Sequence, residues 1–232
     1  MGTSIALVTA NMGGIDPLFA LPPHPGIDAL YYTDVPSLGS AASTWTRILV
    51  PPYPASEPRL KAKFFKCQAH HLPEVRGYPW LAWADASFEF HSLEFLTEWS
   101  GFAAPDGSRA VFVPHPDRQT VAQEYGYVLR QIELGNPYLA GRYSAEALER
   151  EREFFSRIHD LEALKLWAGG LWLMANASRT HAFLDAWWNC VLRFSILDQA
   201  ALSPLLMEHG IEPVGFDVDL STNQHFTRHV HP

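Results

Sequence analysis

The stretch Leu81-Ala82-Trp83-Ala84-Asp85-Ala86-Ser87 places an acidic residue directly after a short apolar run. Four apolar residues followed by turn-forming ones predict a strand buried in a sheet, with Asp85 at its carboxyl end. A carboxylate at such a position is unfavourable unless it meets a cation or hydrogen-bond donors. Two interpretations stay open at this point: Asp85 binds a ligand, or it caps the turn that follows.

Outward from this stretch, apolar runs alternate with segments of helical spacing. Further strands are predicted over 4–10, 29–33, 46–50, 88–90, 110–113 and 166–177, and helices over 58–72, 120–134, 144–159, 181–194 and 198–209. This alternation predicts an α/β fold with a mainly parallel or mixed sheet flanked by helices. Because ligands bind such sheets outside the carboxyl ends of the strands, the loops at 11–14, Asp34 and Asp85 are candidate binding loops.

Length and composition are those of one folded domain. The chain has 232 residues, 47% of them hydrophobic and 18% charged, and single cores grow to about 250 residues before chains split into domains. We expect one domain over 1–232, with the polar, histidine-rich segment 218–232 as a flexible or site-closing tail. The eight Trp and fourteen Phe are explained by core packing, although some could form a platform for a sugar or a base.

Charge and cysteine usage exclude several classes. The formal net charge is −8 and no basic stripe occurs, which argues against a nucleic-acid binder. Cys67 and Cys190 are far apart, which fits a reducing compartment better than a disulfide framework or a structural zinc. No signal peptide and no transmembrane segment are predicted. We therefore expect a cytoplasmic protein, with a homodimer as one candidate oligomeric state.

Two further features carry candidate chemistry. Lys63 and Lys66 are three residues apart and share a helical face, which His70 joins four residues later; this face could hold a diphosphate or could be a solvated surface. Asp198 opens a helix, where a carboxylate is favoured by the helix dipole but could also bind hydroxyls or act as an acid or base at a sugar site. The C-terminal histidines, His229 among them, could supply a metal ligand or belong to a disordered tail.

Taken together, these segments resemble a glycosyltransferase-like family, long catalogued as a domain of unknown function, that includes plant proteins of seed-coat mucilage. Residues 63–70 (KFFKCQAH) and 78–87 (YPWLAWADAS) resemble its core signature. Matching stretches occur in the same order at 7–16, 31–34, 115–118 with Glu124, 170–172, 179–181, 187–188 and 195–199. The resemblance spans about residues 5 to 206, and the shared order makes it more specific than any single motif.

The resemblance implies a GT-A-like fold, in which a Rossmann-type sheet binds a nucleoside-diphosphate sugar, usually with Mn²⁺ or Mg²⁺. It implies these roles: Asp85 as the catalytic-site carboxylate that binds the metal; Lys66, with Lys63, near the diphosphate; Thr9, Asn11 and Asp34 near the nucleoside; and Asp198 as a catalytic carboxylate that faces sugar or acceptor. By its helical spacing His70 would join the two lysines, and His229 or His231 could supply a further metal ligand. Two positions depart from the family pattern. Ser87 replaces the second acid of an Asp-x-Asp motif, and Leu197 replaces an arginine before Asp198.

The implied activity is that of a hexosyltransferase-type enzyme in surface-polysaccharide or glycoconjugate synthesis. It would move a sugar from the nucleotide donor to a saccharide or other hydroxyl acceptor. Two alternatives stay open. The first is a hydrolase of nucleotide sugars or amide lipids, since proteins of this family have also been given a ceramidase-type label. The second is a non-catalytic sugar-binding module without a metal site, for which Ser87 is the main evidence.

Overall fold

The computed structural model describes residues 4–37, 44–50 and 57–229, so His231 lies outside it. The strands are β1 (Ile5–Asn11), β2 (Ile27–Thr33), β3 (Thr46–Leu49), β4 (Trp80–Ala84), β5 (Phe88–Phe90), β6 (Arg109–Pro114), β7 (Trp167–Ala175), β8 (Glu212–Gly215) and β9 (Phe226–Arg228). The helices are α1 (Pro58–Cys67), α2 (Glu94–Phe102), α3 (Val121–Glu133), α4 (Pro137–Ala140), α5 (Ala145–Ser156), α6 (Ser178–Arg193) and α7 (Asp198–Glu208). No helix within these ranges is long and apolar enough to cross a membrane.

Seven strands form one mixed sheet in the order β3-β2-β1-β4-β7-β6-β8. Strand β7 runs antiparallel to both of its neighbours, whereas the other pairs in this sheet are parallel. Strands β5 and β9 pair separately as a small antiparallel ribbon. The expected α/β class, a mixed sheet flanked by helices, is therefore confirmed.

The sheet is covered on both faces, which explains why its strands read as nearly continuous apolar runs. One face packs against α1, α3, α5, α6 and α7, with Phe65, Leu148 and Trp187 among the buried side chains of this core. The opposite face packs against α2 and the β5–β9 ribbon, through residues such as Trp99 and Phe226. Alternate residues of each strand therefore enter two different cores.

The structure differs from the sequence-based expectation at several elements. Helices α2 and α4 and strands β8 and β9 were not predicted; α4, β8 and β9 are only three or four residues long, too short for a periodic pattern. Helix α1 ends at Cys67, not at residue 72, and Gln68 leads into a short 3-10 helix over Ala69–His71. Because the α-helical repeat stops there, the four-residue spacing no longer places His70 on the face of Lys66.

Candidate active site

The connection between β1 and β4 defines where a ligand is expected to bind. These two strands are parallel neighbours, yet the chain first leaves β1 towards β2 and β3 on one side before it returns as β4 on the other. Such a reversal of strand order opens a crevice at the carboxyl ends of the strands, the usual ligand position in α/β sheets. Asn11 ends β1 and Asp85 follows β4, so both residues lie at this crevice.

A cleft in two connected halves occupies the crevice. The first half, of about 390 Å³, is lined by the loops after β1 and β4, with Asn11, Met12 and Ser87. The second half, of about 340 Å³, is lined by residues such as Glu124 and Gln199. Six residues line both halves and mark the junction: Lys63, Lys66, Asp85, Tyr138, Arg142 and Arg228. The junction therefore carries four cations and one carboxylate, in a protein whose net charge is −8.

The floor of the cleft, defined here as Lys63, Lys66 and Asp198, is a closed ion cluster. Lys66 is only 1% exposed, and its Nζ lies 2.5 Å from Asp198 Oδ2, while Lys63 Nζ lies 2.7 Å from Asp198 Oδ1. Lys66 Nζ also lies over the rings of Trp83 and Trp187, at 5.9 and 5.4 Å from their centroids. A buried ammonium is tolerable only with such compensation by carboxylates and aromatic faces.

The two lysines control the charge of Asp198. Burial alone would raise the pKa of this carboxyl, but the adjacent Lys63 and Lys66 outweigh burial and hold its pKa below the usual range. For Lys63, burial favours the neutral amine, but the carboxylates of Asp198 and Asp85 raise its pKa. Asp198 and Lys63 are therefore both held in their charged forms.

The wall of the cleft, defined here as Asp85, Ala86 and Ser87, is more open. The Asp85 side chain is 37% exposed, and its Oδ1 accepts a hydrogen bond from Trp83 Nε1 at 2.7 Å and lies 3.6 Å from Lys66 Nζ. Its backbone N–H donates to the Gly170 carbonyl at 2.8 Å. A Cβ on Gly170 would come within 2.8 Å of Asp85 Oδ2. The absence of a side chain at Gly170 therefore leaves the space that the Asp85 carboxylate occupies.

Two of the three predicted nucleoside residues, Asn11 and Asp34, hydrogen-bond to the loop after β1. Asn11 Nδ2 donates to the carbonyl of Asp16 at 2.6 Å and to the Tyr31 hydroxyl at 2.8 Å. Asp34 accepts from the backbone N–H of Gly13 at 2.7 Å and pairs with Lys61 at 3.2 Å. Gly13 has a φ of +72°, which only glycine adopts readily. Asn11 therefore lines the cleft, whereas Asp34 does not line it and instead accepts a hydrogen bond from the loop at Gly13.

Thr9 lies in a separate small cavity beneath the wall. This cavity has a volume of about 10 Å³ and is lined mainly by aromatic side chains, among them Phe19 and Tyr31. That volume accommodates about one water molecule at most. This cavity is therefore too small to hold a nucleobase against Thr9, whereas the first half of the cleft has a volume of about 390 Å³.

The second half of the cleft contains a polar network. In the sequence, only the family resemblance, which includes 115–118 with Glu124, pointed to these residues. Buried Glu124 forms a short ion pair with Arg118 and accepts a hydrogen bond from Gln199 Nε2 at 2.5 Å. Arg118 Nη2 lies 3.0 Å from His115 Nε2. Burial, followed by the charge of Arg118, lowers the pKa of His115 to about 4. At neutral pH this half therefore presents a neutral imidazole beside a paired carboxylate and an amide.

Arg142 and Arg228 are further cleft residues that the sequence patterns did not indicate. Arg142 follows the short helix α4 and its guanidinium lies 4.4 Å from the Tyr138 ring centroid; Arg228 ends β9. No ion pair within the described ranges engages either guanidinium. Neither residue belongs to a periodic or recognisable sequence motif. They lie in distant parts of the chain, and the packing of α4 and β9 brings them to the same cleft.

His70 lies outside this cleft, in a cluster between α1 and α6. Its imidazole is 2% exposed, lies 3.3 Å from Asp185 Oδ1, and stacks on His181 with ring centroids 4.8 Å apart. Burial and the neighbouring His71 lower the pKa of His70 to about 4, against the opposing effect of Asp185. The structure therefore separates His70 from Lys63 and Lys66, with which the sequence had grouped it.

The residues around Asp85 fit a divalent cation poorly. His229 lines the same cleft, but its Nε2 lies 2.9 Å from Glu89 and its ring stacks on Phe19. Ser87 is buried and offers no carboxylate. Lys66 Nζ lies 3.6 Å from Asp85 Oδ1, where it would repel a metal ion. Among the described residues, the group of three or more ligating side chains that could share an ion contains neither Asp85 nor His229.

The chain is thus an α/β protein with a cation-lined cleft at the switch point of its sheet. No protein-family model and no curated protein matches the chain. Among solved structures, the apo form of mouse xyloside xylosyltransferase 1 is similar, with a TM-score of 0.49 and 11% sequence identity, over 94% of this chain and 86% of that chain. Similarity at this level assigns neither a family nor an activity.

Proposed function

We propose that this protein is a glycosyltransferase that binds a nucleoside-diphosphate sugar in the cleft. The observation that carries the proposal is the junction at the switch point, where Arg142 and Arg228 face the same cavity as Lys63 and Lys66. Arginine binds phosphate oxygens through two parallel N–H donors, and lysine contributes a point charge. A diphosphate is the substrate group that such a junction suits.

The two halves of the cleft would bind different parts of the substrates. In this proposal the nucleoside lies in the first half beside Asn11, and the acceptor enters the second half beside Glu124 and Gln199. Asp85 lies between them, half exposed and with Oδ2 directed towards Gly170. We assign to Asp85 hydrogen bonds from hydroxyl groups of the donor sugar, because carboxylates accept such bonds strongly.

Asp198 has a different role in this proposal. Both of its oxygens are paired with lysines, and the pairing keeps its pKa low. A general base works best with a pKa near the working pH. Asp198 therefore suits a positioning role, holding the ammonium groups of Lys63 and Lys66, better than the role of a base towards the acceptor.

The chemistry follows from fixed charge. The bond between the anomeric carbon and the diphosphate oxygen breaks, the acceptor hydroxyl oxygen bonds to that carbon, and the hydroxyl proton passes to the leaving diphosphate, which departs as the nucleoside diphosphate. Negative charge then grows on the leaving diphosphate, and cations already in place stabilise it without reorganisation. Lys66, Lys63 and the two arginines supply this charge in our proposal, so no step depends on Mn²⁺ or Mg²⁺.

Donor binding tests the proposal directly. Uridine and guanosine diphosphates are titrated by calorimetry in EDTA and in Mn²⁺, with wild type and an Arg142→Ala/Arg228→Ala double variant. We expect one nucleotide to bind in EDTA and the double variant to lose affinity at least about tenfold. Arg150→Ala is the matched control, because Arg150 pairs with Glu146 on an exposed helix face. Absence of nucleotide binding by wild type, with and without metal, contradicts the proposal.

Product analysis tests the reaction type. With donor and an acceptor panel, wild type is expected to form glycosylated product, and Asp85→Asn to lower the rate at least about tenfold while still binding the nucleoside diphosphate. Release of free sugar at a rate that acceptors do not change would indicate a hydrolase. Glycan binding without turnover would indicate a binding module.

A further inference from the structure

The cluster of His70, His71 and Asp185 is the strongest feature that the cleft does not use. His70 and His71 follow the lysine helix α1 in a 3-10 turn, and Asp185 lies in the middle of α6. Within the described ranges, His70, His71 and Asp185 form the one group of three ligating side chains whose ligand atoms all lie within 4.8 Å of one another. The cluster therefore joins the end of α1 to α6 with the side chains that borderline-soft metals prefer.

Two of the three ligand-to-ligand distances in this cluster match a tetrahedral site. Two ligand atoms that each lie about 2.0–2.1 Å from a zinc ion, at the tetrahedral angle, are about 3.3–3.4 Å apart. His70 Nε2 and His71 Nε2 each lie 3.3 Å from Asp185 Oδ1. Both of these separations therefore equal the edge of a zinc tetrahedron, whereas the two imidazole nitrogens lie within 4.8 Å of each other and would adjust their separation when an ion binds.

An independent observation points to a missing partner of His70. Its imidazole is 2% exposed, and although Nε2 lies 3.3 Å from Asp185 Oδ1, neither ring nitrogen has a well-formed hydrogen bond within the described part of the chain. Buried polar nitrogens without a partner are rare and unfavourable. A metal bound to Nε2 would satisfy the ring nitrogen that already faces Asp185.

The surroundings have the character of an outer ligand shell. Gln68 Nε2 donates to Asp185 Oδ1 at 3.0 Å, as outer-shell groups do for ligating carboxylates. The His181 ring stacks on His70 and is held by Asn176 at 2.6 Å. His71 is 58% exposed, which gives an ion a path from solvent and leaves a fourth position for water.

We propose that His70, His71 and Asp185 bind a zinc-type divalent ion outside the cleft, with water as the fourth ligand. The ion would fasten the end of α1 to α6 and so fix the helix that carries Lys63 and Lys66. This site is distinct from the Asp85 position at which the sequence resemblance placed a metal.

Metal binding by the untagged full chain tests this proposal, with Zn²⁺ in equilibrium dialysis and Co²⁺ as the spectroscopic probe. We expect one ion per chain and a visible Co²⁺ spectrum of the tetrahedral type. His71→Ala and Asp185→Asn, an exposed and an isosteric change, are each expected to lower affinity at least about tenfold. His229→Ala is the matched control, since its exposed imidazole faces a single carboxylate; Asp85→Asn is the second control.

Three results would overturn the metal site: no bound Zn²⁺ at micromolar concentration, wild-type affinity in both His71→Ala and Asp185→Asn, or loss of the ion in Asp85→Asn or His229→Ala. Circular dichroism of each variant shows whether it remains folded. Nucleoside-diphosphate titration of His71→Ala separates this proposal from the proposed function, because the nucleotide should still bind where the ion does not.

Discussion

The floor and the wall of the cleft share one ammonium group but differ in their access to water. On the floor, Asp198 is 8% exposed and both of its oxygens meet lysines. On the wall, Asp85 is 37% exposed and approaches the same Lys66 at 3.6 Å through one oxygen. Both carboxylates thus belong to aspartates that approach Lys66, but they differ in their exposure to water and in the number of lysines that they contact.

Because of this difference, the charge of Asp198 stabilises the fold, whereas the charge of Asp85 is accessible to a ligand. A buried carboxylate with two cations is held ionised and immobile, and its removal leaves uncompensated charge in a medium of low dielectric. A half-exposed carboxylate keeps an oxygen free for a ligand, and solvent screens much of its interaction with Lys66. We therefore expect changes on the floor to lower stability and, through the two lysines, diphosphate binding, whereas changes on the wall should affect binding and turnover with little loss of stability.

Replacement of Lys66 is expected to have the largest effect. Lys66→Met keeps most of the side-chain volume but leaves Asp198 buried with a single lysine. Breaking a buried ion pair from one side costs about 3–5 kcal/mol of unfolding free energy. Urea denaturation at pH 7 measures this loss, and calorimetry should show weaker nucleoside-diphosphate binding.

Lys61→Met is the matched control for Lys66. Lys61 lies on the same helix and pairs with one aspartate, Asp34, but both side chains reach solvent. We expect a clearly smaller loss of stability from this change. Equal losses for the two variants would mean that the floor is not a special ion cluster.

Asp198→Asn is expected to have the next largest effect, and this effect should depend on pH. Because the folded-state pKa of Asp198 lies below its unfolded value, the ionised carboxylate stabilises the fold above the unfolded pKa of about 3.9, and this stabilisation is lost as pH falls through the folded pKa. The gap in stability between wild type and Asp198→Asn should therefore be largest near neutral pH and shrink below about pH 5. Denaturation curves from pH 3 to 7 measure it, and a gap that widens in acid would contradict the assignment.

The neighbouring glycines of β7 give the smallest but most specific test of the wall. In Gly170→Ala the new Cβ would lie 2.8 Å from Asp85 Oδ2, so the carboxylate must move. In Gly169→Ala the nearest atom, Lys66 Nζ, lies 3.4 Å away, an ordinary contact. We expect Gly170→Ala to lower turnover at least about tenfold with little loss of stability, and Gly169→Ala to change turnover much less. A reversed order would show that the position of Asp85 does not matter.

Much of the fold was predictable because burial imposes a local pattern. The strands around Val8, Tyr31 and Trp83 lie between two cores, so they appear as short apolar runs ended by turn residues. Asp85 was found for the same reason, since a carboxylate after such a run marks a strand end. Strand β8 was missed because it has four residues, lies at the sheet edge and includes Pro213, which strands tolerate only there.

The site was predictable only in part. Lys63 and Lys66 were grouped correctly because three-residue spacing within one helix guarantees a common face. His70 was grouped with them wrongly because α1 ends at Cys67. Arg142 and Arg228 gave no signal, since what makes them part of the cleft is the packing of α4 and β9 and not a pattern in their own neighbourhood.

The sequence by itself determined the α/β class, the strand that carries Asp85 and the shared face of the two lysines. Each of these depends on residues a few positions apart, where backbone periodicity leaves little freedom. Only the tertiary structure decided that Asp198 meets both lysines, that two distant arginines complete the junction, and that His70 faces Asp185. These contacts join residues from far apart in the chain, and packing of the whole sheet and its helices sets them.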